Sequence, residues 1–163
     1  MRKYKLTDET KTVNGATLYR IEALRDFNDV KAGDRGGFVK CEENLSHDGT
    51  CWVYDDATAT DCTLVMDDAA LHGHAVMWDF TSLHGHASLL DYAGMWGYSA
   101  TWDHSSLHGH ALLHGHAAMW GYSATWDYAS MWEHSSLRGY SSLHGHASLH
   151  DYEVLRGQEV RSI

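Results

Sequence analysis

A repeat of six residues dominates this chain of 163 residues and limits what it can fold into. Read in sixes from Gly49, the sequence gives units such as GHASLL, DYAGMW and GYSATW and runs without a gap to Arg156. Position one of each unit is Gly, Asp or Glu, and position five is small or aliphatic. Position three is small in every unit up to Glu153. So short and regular a period predicts a stack of similar units around one shared core.

The order of residues within the unit predicts a short strand followed by a corner. Positions three and five face the same side of an extended segment because side chains alternate with a period of two. Position one interrupts the alternation, and Gly and Asp both tolerate the left-handed backbone conformation that a turn requires. A helix is excluded because a glycine in every second or third unit would break it. Three such strands with their corners can close a triangular coil of 18 residues. Stacked coils of this kind form an all-β, single-stranded parallel β-helix, which is the fold that the repeat predicts.

The pattern resembles the hexapeptide-repeat superfamily of left-handed parallel β-helices. In that family an aliphatic residue is followed four residues later by a small one, as in the pairs Leu71/Ala75, Met77/Thr81 and Leu107/Ala111. The resemblance covers roughly residues 37–156 and implies left-handed coiling, which periodicity alone does not fix. Here glycine stands two residues after the aliphatic residue and not one, which is closest to uncharacterised bacterial and phage solenoids with Gly-x-Ala hexads.

The two ends of the chain depart from the repeat and are predicted to be caps. Residues 1–36 form a predicted N-terminal β-hairpin cap, because two strand-like runs flank the turn signal Asn14-Gly15. The β-helix is expected over residues 37–156. Residues 157–163 are a predicted C-terminal cap or tail, because Glu153 and Glu159 occupy the inward position three and Arg161 the inward position five.

The outward positions two, four and six carry nearly all of the histidine, tryptophan and tyrosine. Residues 18 apart are expected to stack at the strand spacing of about 4.8 Å, which places large rings in columns. Such columns stabilise a solenoid by ring stacking, and contiguous exposed rings can also form a contact surface. The predicted surface contacts are Trp78, Trp96, Trp102, Trp120, Trp132, Tyr92 and Tyr128.

The motif His-Gly-His recurs along the repeat and raises the question of a metal site. Equivalent pairs lie two coils apart, about 10 Å, which is too far for one ion to bridge. Two imidazoles with water would make only a weak, adventitious site, so no functional metal and no cofactor are predicted. The weak candidates share one predicted corner edge and are His72, His74, His108, His110, His144 and His146.

Charge and composition restrict the partners and the compartment. The net charge of −10 lies entirely in residues 49–163, and no Lys or Arg occurs between Asp55 and Leu137, so direct binding of nucleic acid is not expected. No run of about 18 apolar residues is present, so no membrane span is expected. The N-terminus lacks the apolar stretch of a signal peptide, and three cysteines favour a reducing compartment, so we expect a cytoplasmic protein.

The uninterrupted coils favour a non-enzymatic scaffold or a recognition and self-assembly module, acting as a homo-oligomer or with a protein partner. Active sites usually lie on loops held by a rigid scaffold, and the repeat contains no insertion. Two alternatives stay open. The family resemblance implies a hexapeptide-type acyltransferase, whose relatives work as trimers with a surface histidine as general base at the subunit interface. The acidic corners could also allow the solenoid to mimic a nucleic acid.

Overall fold

A computed structural model describes residues 1–163 and shows an all-β solenoid of 22 strands with one 3₁₀ turn, Glu42–Asn44. Three parallel sheets form its three flat faces, and each strand pairs with the strand eighteen residues further on. Face I holds β5 (Thr58–Ala59), β8 (Val76–Met77), β11 (Gly94–Met95), β14 (Leu112–Leu113), β17 (Ser130–Met131) and β20 (Ser148–Leu149). Face II holds β4 (Trp52–Val53), β7 (Ala70–Leu71), β10 (Ser88–Leu89), β13 (Ser106–Leu107), β16 (Ala124–Thr125), β19 (Ser142–His144) and β22 (Val160–Ser162). Face III holds β6 (Leu64–Val65), β9 (Ser82–Leu83), β12 (Ala100–Thr101), β15 (Ala118–Gly121), β18 (Ser136–Gly139) and β21 (Val154–Leu155).

The predicted triangular coil of 18 residues is confirmed by the parallel register and by burial. Small residues at position three, such as Ala75 and Ala111, and aliphatic residues at position five, such as Leu71 and Leu107, are fully buried. They form one continuous core along the axis. Positive backbone φ angles occur at position one in both kinds of unit, for example at Asp91 (φ 61°) and Gly73 (φ 67°). The corners therefore use the left-handed conformation that the sequence predicts.

Aspartate and glycine at position one have different roles at the corners. Asp55 Oδ2 accepts a hydrogen bond of 2.8 Å from the backbone N–H of Gly73, and Asp79 Oδ2 one of 3.0 Å from Gly97. A Cβ at Gly73 would lie 3.0 Å from the carbonyl oxygen of Asp91 in the next coil. Glycine therefore leaves room for the coil that follows, while aspartate binds the free N–H of that coil.

The N-terminal hairpin continues face I and closes the first coil. Strands β1 (Tyr4–Val13) and β2 (Ala16–Ala23) are antiparallel around the turn at Asn14 (φ 49°) and Gly15 (φ 80°). Strand β2 pairs with β3 (Arg35–Val39), and β3 then pairs in parallel with β5. The edge that a first coil would expose is thus covered by the hairpin.

The cap buries residues that the repeat alone would place outside. Trp52, at an outward position four, is only 1% exposed because the Phe27 ring packs on it at 5.3 Å. Lys3 is fully buried as well, and its Nζ donates to the Cys51 carbonyl oxygen at 2.8 Å. Burial lowers the pKa of this lysine. The burial of Lys3 could not be predicted from the N-terminal sequence, in which acidic and basic residues are mixed.

The parallel pairing runs past residue 156, where the sequence pattern placed the end of the β-helix. Strand β22 pairs with β19, and Arg161 lies in register with Leu143. The charged side chain is accommodated because its guanidinium bonds to groups of the coil itself. Arg161 Nη1 reaches the Ser148 carbonyl oxygen at 2.9 Å and Glu153 Oε2 at 3.1 Å. Residues 160–162 thus continue the parallel pairing of face II.

The cysteines are all free: Cys41 is half-buried, Cys51 is buried and Cys62 is exposed. No helix in the structure has the length and apolar character needed to cross a membrane.

Candidate functional site: a histidine and serine pair within the ring columns

Stacked rings follow every corner of the solenoid, as the period of 18 residues predicts. In the column that begins at Trp78, ring centroids are 6.0 Å apart to Trp96 and 6.4 Å apart from Trp96 to His114. The column through Tyr92, His110 and Tyr128 is tighter, with spacings of 5.0 and 4.8 Å and nearly parallel planes. The rings therefore cover one another along the axis and leave their outer edges to solvent.

The predicted surface contacts differ in exposure. Tyr92 and Tyr128, which follow a corner, are 55% and 57% exposed. The tryptophans precede a corner, and neighbouring rings and strands cover them more completely. Their use as a contact surface stays a prediction. The half-buried tryptophans among them are Trp78, Trp96, Trp102, Trp120 and Trp132.

The two histidines of each His-Gly-His motif enter different columns. His72 stacks on Tyr54 at 4.2 Å, whereas His74 stacks on Tyr92 at 5.0 Å. In the same way, His108 stacks on Trp126 while His110 lies between two tyrosines. The structure contains no group of three or more His, Cys, Asp or Glu side chains placed to hold a metal ion. The weak candidates His72, His74, His108, His110, His144 and His146 thus lie beside rings and do not converge.

His108 differs from the other histidines of the repeat. Its Nε2 lies 2.9 Å from the hydroxyl of Ser106, two residues earlier on β13, and its ring lies 3.7 Å from the Trp126 ring. Burial lowers the pKa of this imidazole, while the charge of Asp91 opposes the shift. The Nδ1 atom makes no hydrogen bond within the chain. His108 is therefore a half-buried, neutral imidazole with one nitrogen fixed and the other free to accept a proton.

Two related pairs provide a comparison along the same repeat. His144 Nε2 lies 2.9 Å from the Ser142 hydroxyl in the same column, and His150 Nε2 lies 2.9 Å from the Ser148 hydroxyl. His72 shares the lowered pKa, which burial again causes, but forms no such bond. His108 combines the bond to a serine with burial that lowers its pKa. Sequence reasoning found no histidine distinct from its repeat fellows, because the distinction depends on rings eighteen residues away.

The fold, the repeat and the register define this chain as a hexapeptide-repeat parallel β-helix. No family model matches the chain. A segment of 63 residues is 41% identical to the uncharacterized acetyltransferase YdcK of Escherichia coli strain K12. The match covers 34% of this chain and 19% of that relative, so the chain spans only a small part of the relative's length.

This similarity overturns the prediction of a non-enzymatic scaffold, because the matched relative is named an acetyltransferase. The prediction depended on the absence of loops from the coils. Loops are a common place for active sites, but the flat faces of a solenoid also hold side chains in fixed positions. The pair of His108 and Ser106 lies on such a face and needs no loop to position it.

Proposed function

We propose that the chain is an acyltransferase of the hexapeptide-repeat type, which moves an acetyl group from a thioester to an amine or hydroxyl acceptor. The similarity of the 63-residue segment to an acetyltransferase carries this proposal. The acceptor must lose a proton when it attacks the thioester carbonyl, and a neutral imidazole is the usual base for that step. His108 is the residue that we assign to it.

The environment of His108 suits a general base. Burial keeps the imidazole neutral at pH values where an ordinary histidine begins to charge. If Nε2–H donates to Ser106, Nδ1 carries the lone pair that accepts the proton. The Trp126 ring fixes the plane of the imidazole by stacking. Orientation and protonation state are thus both set before the acceptor binds.

A thioester donor such as acetyl-coenzyme A, which enters as a substrate, also carries phosphates that require cations. No Lys or Arg lies between Asp55 and Leu137, so only the last coils of the body can supply them. Arg138 follows Trp102 and Trp120 in one column on face III, and its guanidinium lies 4.7 Å over the Trp120 ring. Arg156 occupies the next position of that column. We assign the phosphates to these two arginines, because a guanidinium binds phosphate oxygens in pairs.

The experiment measures free coenzyme A by chromatography after incubation of acetyl-coenzyme A with a mixture of amine and hydroxyl acceptors. We expect acceptor-dependent release, and His108→Gln should lower the rate by about 10²-fold or more. The matched control is His144→Gln, because His144 has the same bond to a serine in the same column but lies 6.2 Å from the Trp126 ring, where His108 lies 3.7 Å from it. No release with any acceptor would refute the proposed activity, and equal losses in both variants would refute the role of His108.

A further inference from the structure

A cavity of about 180 Å³ lies between the N-terminal hairpin and the corner that precedes face III. The turn residues Val13 and Asn14 form one wall, and Thr60, Asp61, Trp78 and Asp79 form the other. It is on a different corner from His108 and shares no residue with the proposed acyl-transfer site.

The cavity exists because the column of rings that contains Trp78 has no ring in the coil before Trp78. Trp78 stacks on Trp96 on one side, with centroids 6.0 Å apart. On the other side the position eighteen residues earlier is Thr60, which is too small to cover an indole. One face of the Trp78 ring is therefore left without the ring neighbour that the later tryptophans of the column have. The indole Nε1 is also enclosed without a hydrogen-bond acceptor.

The two carboxylates of the wall, those of Asp61 and Asp79, differ in their bonding partners. Asp61 lies 3.1 Å from the Lys40 ammonium and accepts a hydrogen bond of 2.9 Å from the Thr60 hydroxyl. Asp79 has no cationic partner: its Oδ2 accepts the Gly97 N–H at 3.0 Å, and its Oδ1 makes no hydrogen bond. Lys40 is the only cation paired with either carboxylate, so the cavity keeps one uncompensated negative charge beside an aromatic face.

We propose that this cavity binds a small organic ammonium ion. The ammonium group would lie against Asp79, and its alkyl part would cover the free face of the Trp78 ring. The carboxylate attracts the ammonium charge, and the aromatic face removes the alkyl part from water. The volume is below that of pockets for drug-sized ligands, which limits the ligand to a few carbon atoms. This binding does not depend on the acyl-transfer proposal.

The test follows the indole N–H signals of protein labelled with ¹⁵N-tryptophan during titration with propylammonium chloride. Trp78→Phe removes one signal and so assigns it. We expect that signal to shift and saturate with propylammonium, and not with 1-propanol or with sodium chloride at equal ionic strength. Asp79→Asn should weaken binding by about tenfold, which corresponds to about 1.4 kcal/mol.

Asp91→Asn is the matched control, because Asp91 makes the same bond, 3.1 Å to the Gly109 N–H, far from the cavity. Asparagine tolerates the positive φ of both positions, and the remaining indole signals report whether each variant is folded. Thr60→Tyr provides a second variant, since a ring at that position should fill the cavity and abolish the shift. Equal shifts with 1-propanol, equal effects of the two Asp variants, or tighter binding of Ca²⁺ alone would overturn the proposal.

Discussion

Hydroxyl groups inside the coil divide into those with partners and those without. The Ser99 and Ser105 hydroxyls donate to the carbonyl oxygens of Trp96 at 3.1 Å and Trp102 at 2.9 Å. The Thr101 and Thr125 hydroxyls occupy the inward position five, are fully buried and make no hydrogen bond. A buried hydroxyl without a partner loses its bonds to water and regains nothing. The repeat thus tolerates threonine at position five but is not stabilised by its hydroxyl.

Thr101→Val and Thr125→Val should therefore stabilise the protein. Each replacement keeps the shape of the side chain and removes an unsatisfied group, so we expect the free energy of unfolding to rise by about 1 kcal/mol per site. Urea unfolding followed by circular dichroism measures the change as a shift in midpoint. Ser105→Ala is the contrasting variant, because it removes a bonded hydroxyl and should not stabilise the fold. A fall in midpoint for both valine variants would contradict the argument.

Among the structural elements, strand β22 shows how the coil accommodates a charged residue at the inward position five. Arg161 extends from β22 to Glu153, which lies next to β21 on the adjacent face. Its hydrogen bond lowers the pKa of the Glu153 carboxyl, and the backbone N–H of His150 acts in the same direction. Because the pKa is lowered in the folded state, this carboxylate adds stability above its unfolded pKa. That contribution is lost as the pH falls through the folded value.

Glu153→Gln should accordingly weaken the end of the coil at neutral pH and leave it unchanged in acid. The pair is largely exposed to solvent, so the loss should be small, about 0.5 kcal/mol. Hydrogen exchange of the β21 and β22 amides is the suitable measurement, because it reports local opening of the two strands that the pair connects. We expect faster exchange in the variant at neutral pH and equal exchange only below the lowered folded-state pKa of Glu153. Glu159→Gln serves as a comparison, because Glu159 is bonded to the Arg156 N–H and not to Arg161.

The strands, corners and core were predictable from the sequence because they depend on interactions within six residues. Side-chain alternation fixes which residues are buried, and the backbone preference of Asp and Gly fixes the corners. The environment of His108, the burial of Lys3 and the cavity beside Trp78 were not predictable. Each depends on a neighbour one or more coils away, or on how the cap docks. A scaffold was favoured over the acyltransferase alternative for the same reason, since the sequence repeat alone makes no histidine differ from the others.

Across the whole molecule, the response to acid depends on which rings are stacked. The chain carries 14 histidines, and some stack directly on one another, such as His116 on His134 at 4.7 Å. Protonation of both would place two positive charges at that distance. Other histidines, such as His110, lie between two tyrosines and gain no charged neighbour. Burial also lowers the pKa of His72 and His108, so the unfolded chain binds protons more readily than the folded one.

Repulsion between stacked histidines and the burial of His72 and His108 both destabilise the fold in acid. The free energy of unfolding is therefore highest above the unfolded histidine pKa of about 6.5 and falls as the pH drops below it. We expect the urea midpoint to decrease between about pH 7.5 and pH 5.5, and less steeply in high salt because salt screens the exposed charges. His134→Tyr removes one charged neighbour while keeping the stack, so it should reduce the decrease. His110→Tyr should reduce it less, because no histidine stacks on His110. Equal slopes for these two variants would show that repulsion within the columns does not control the acid response.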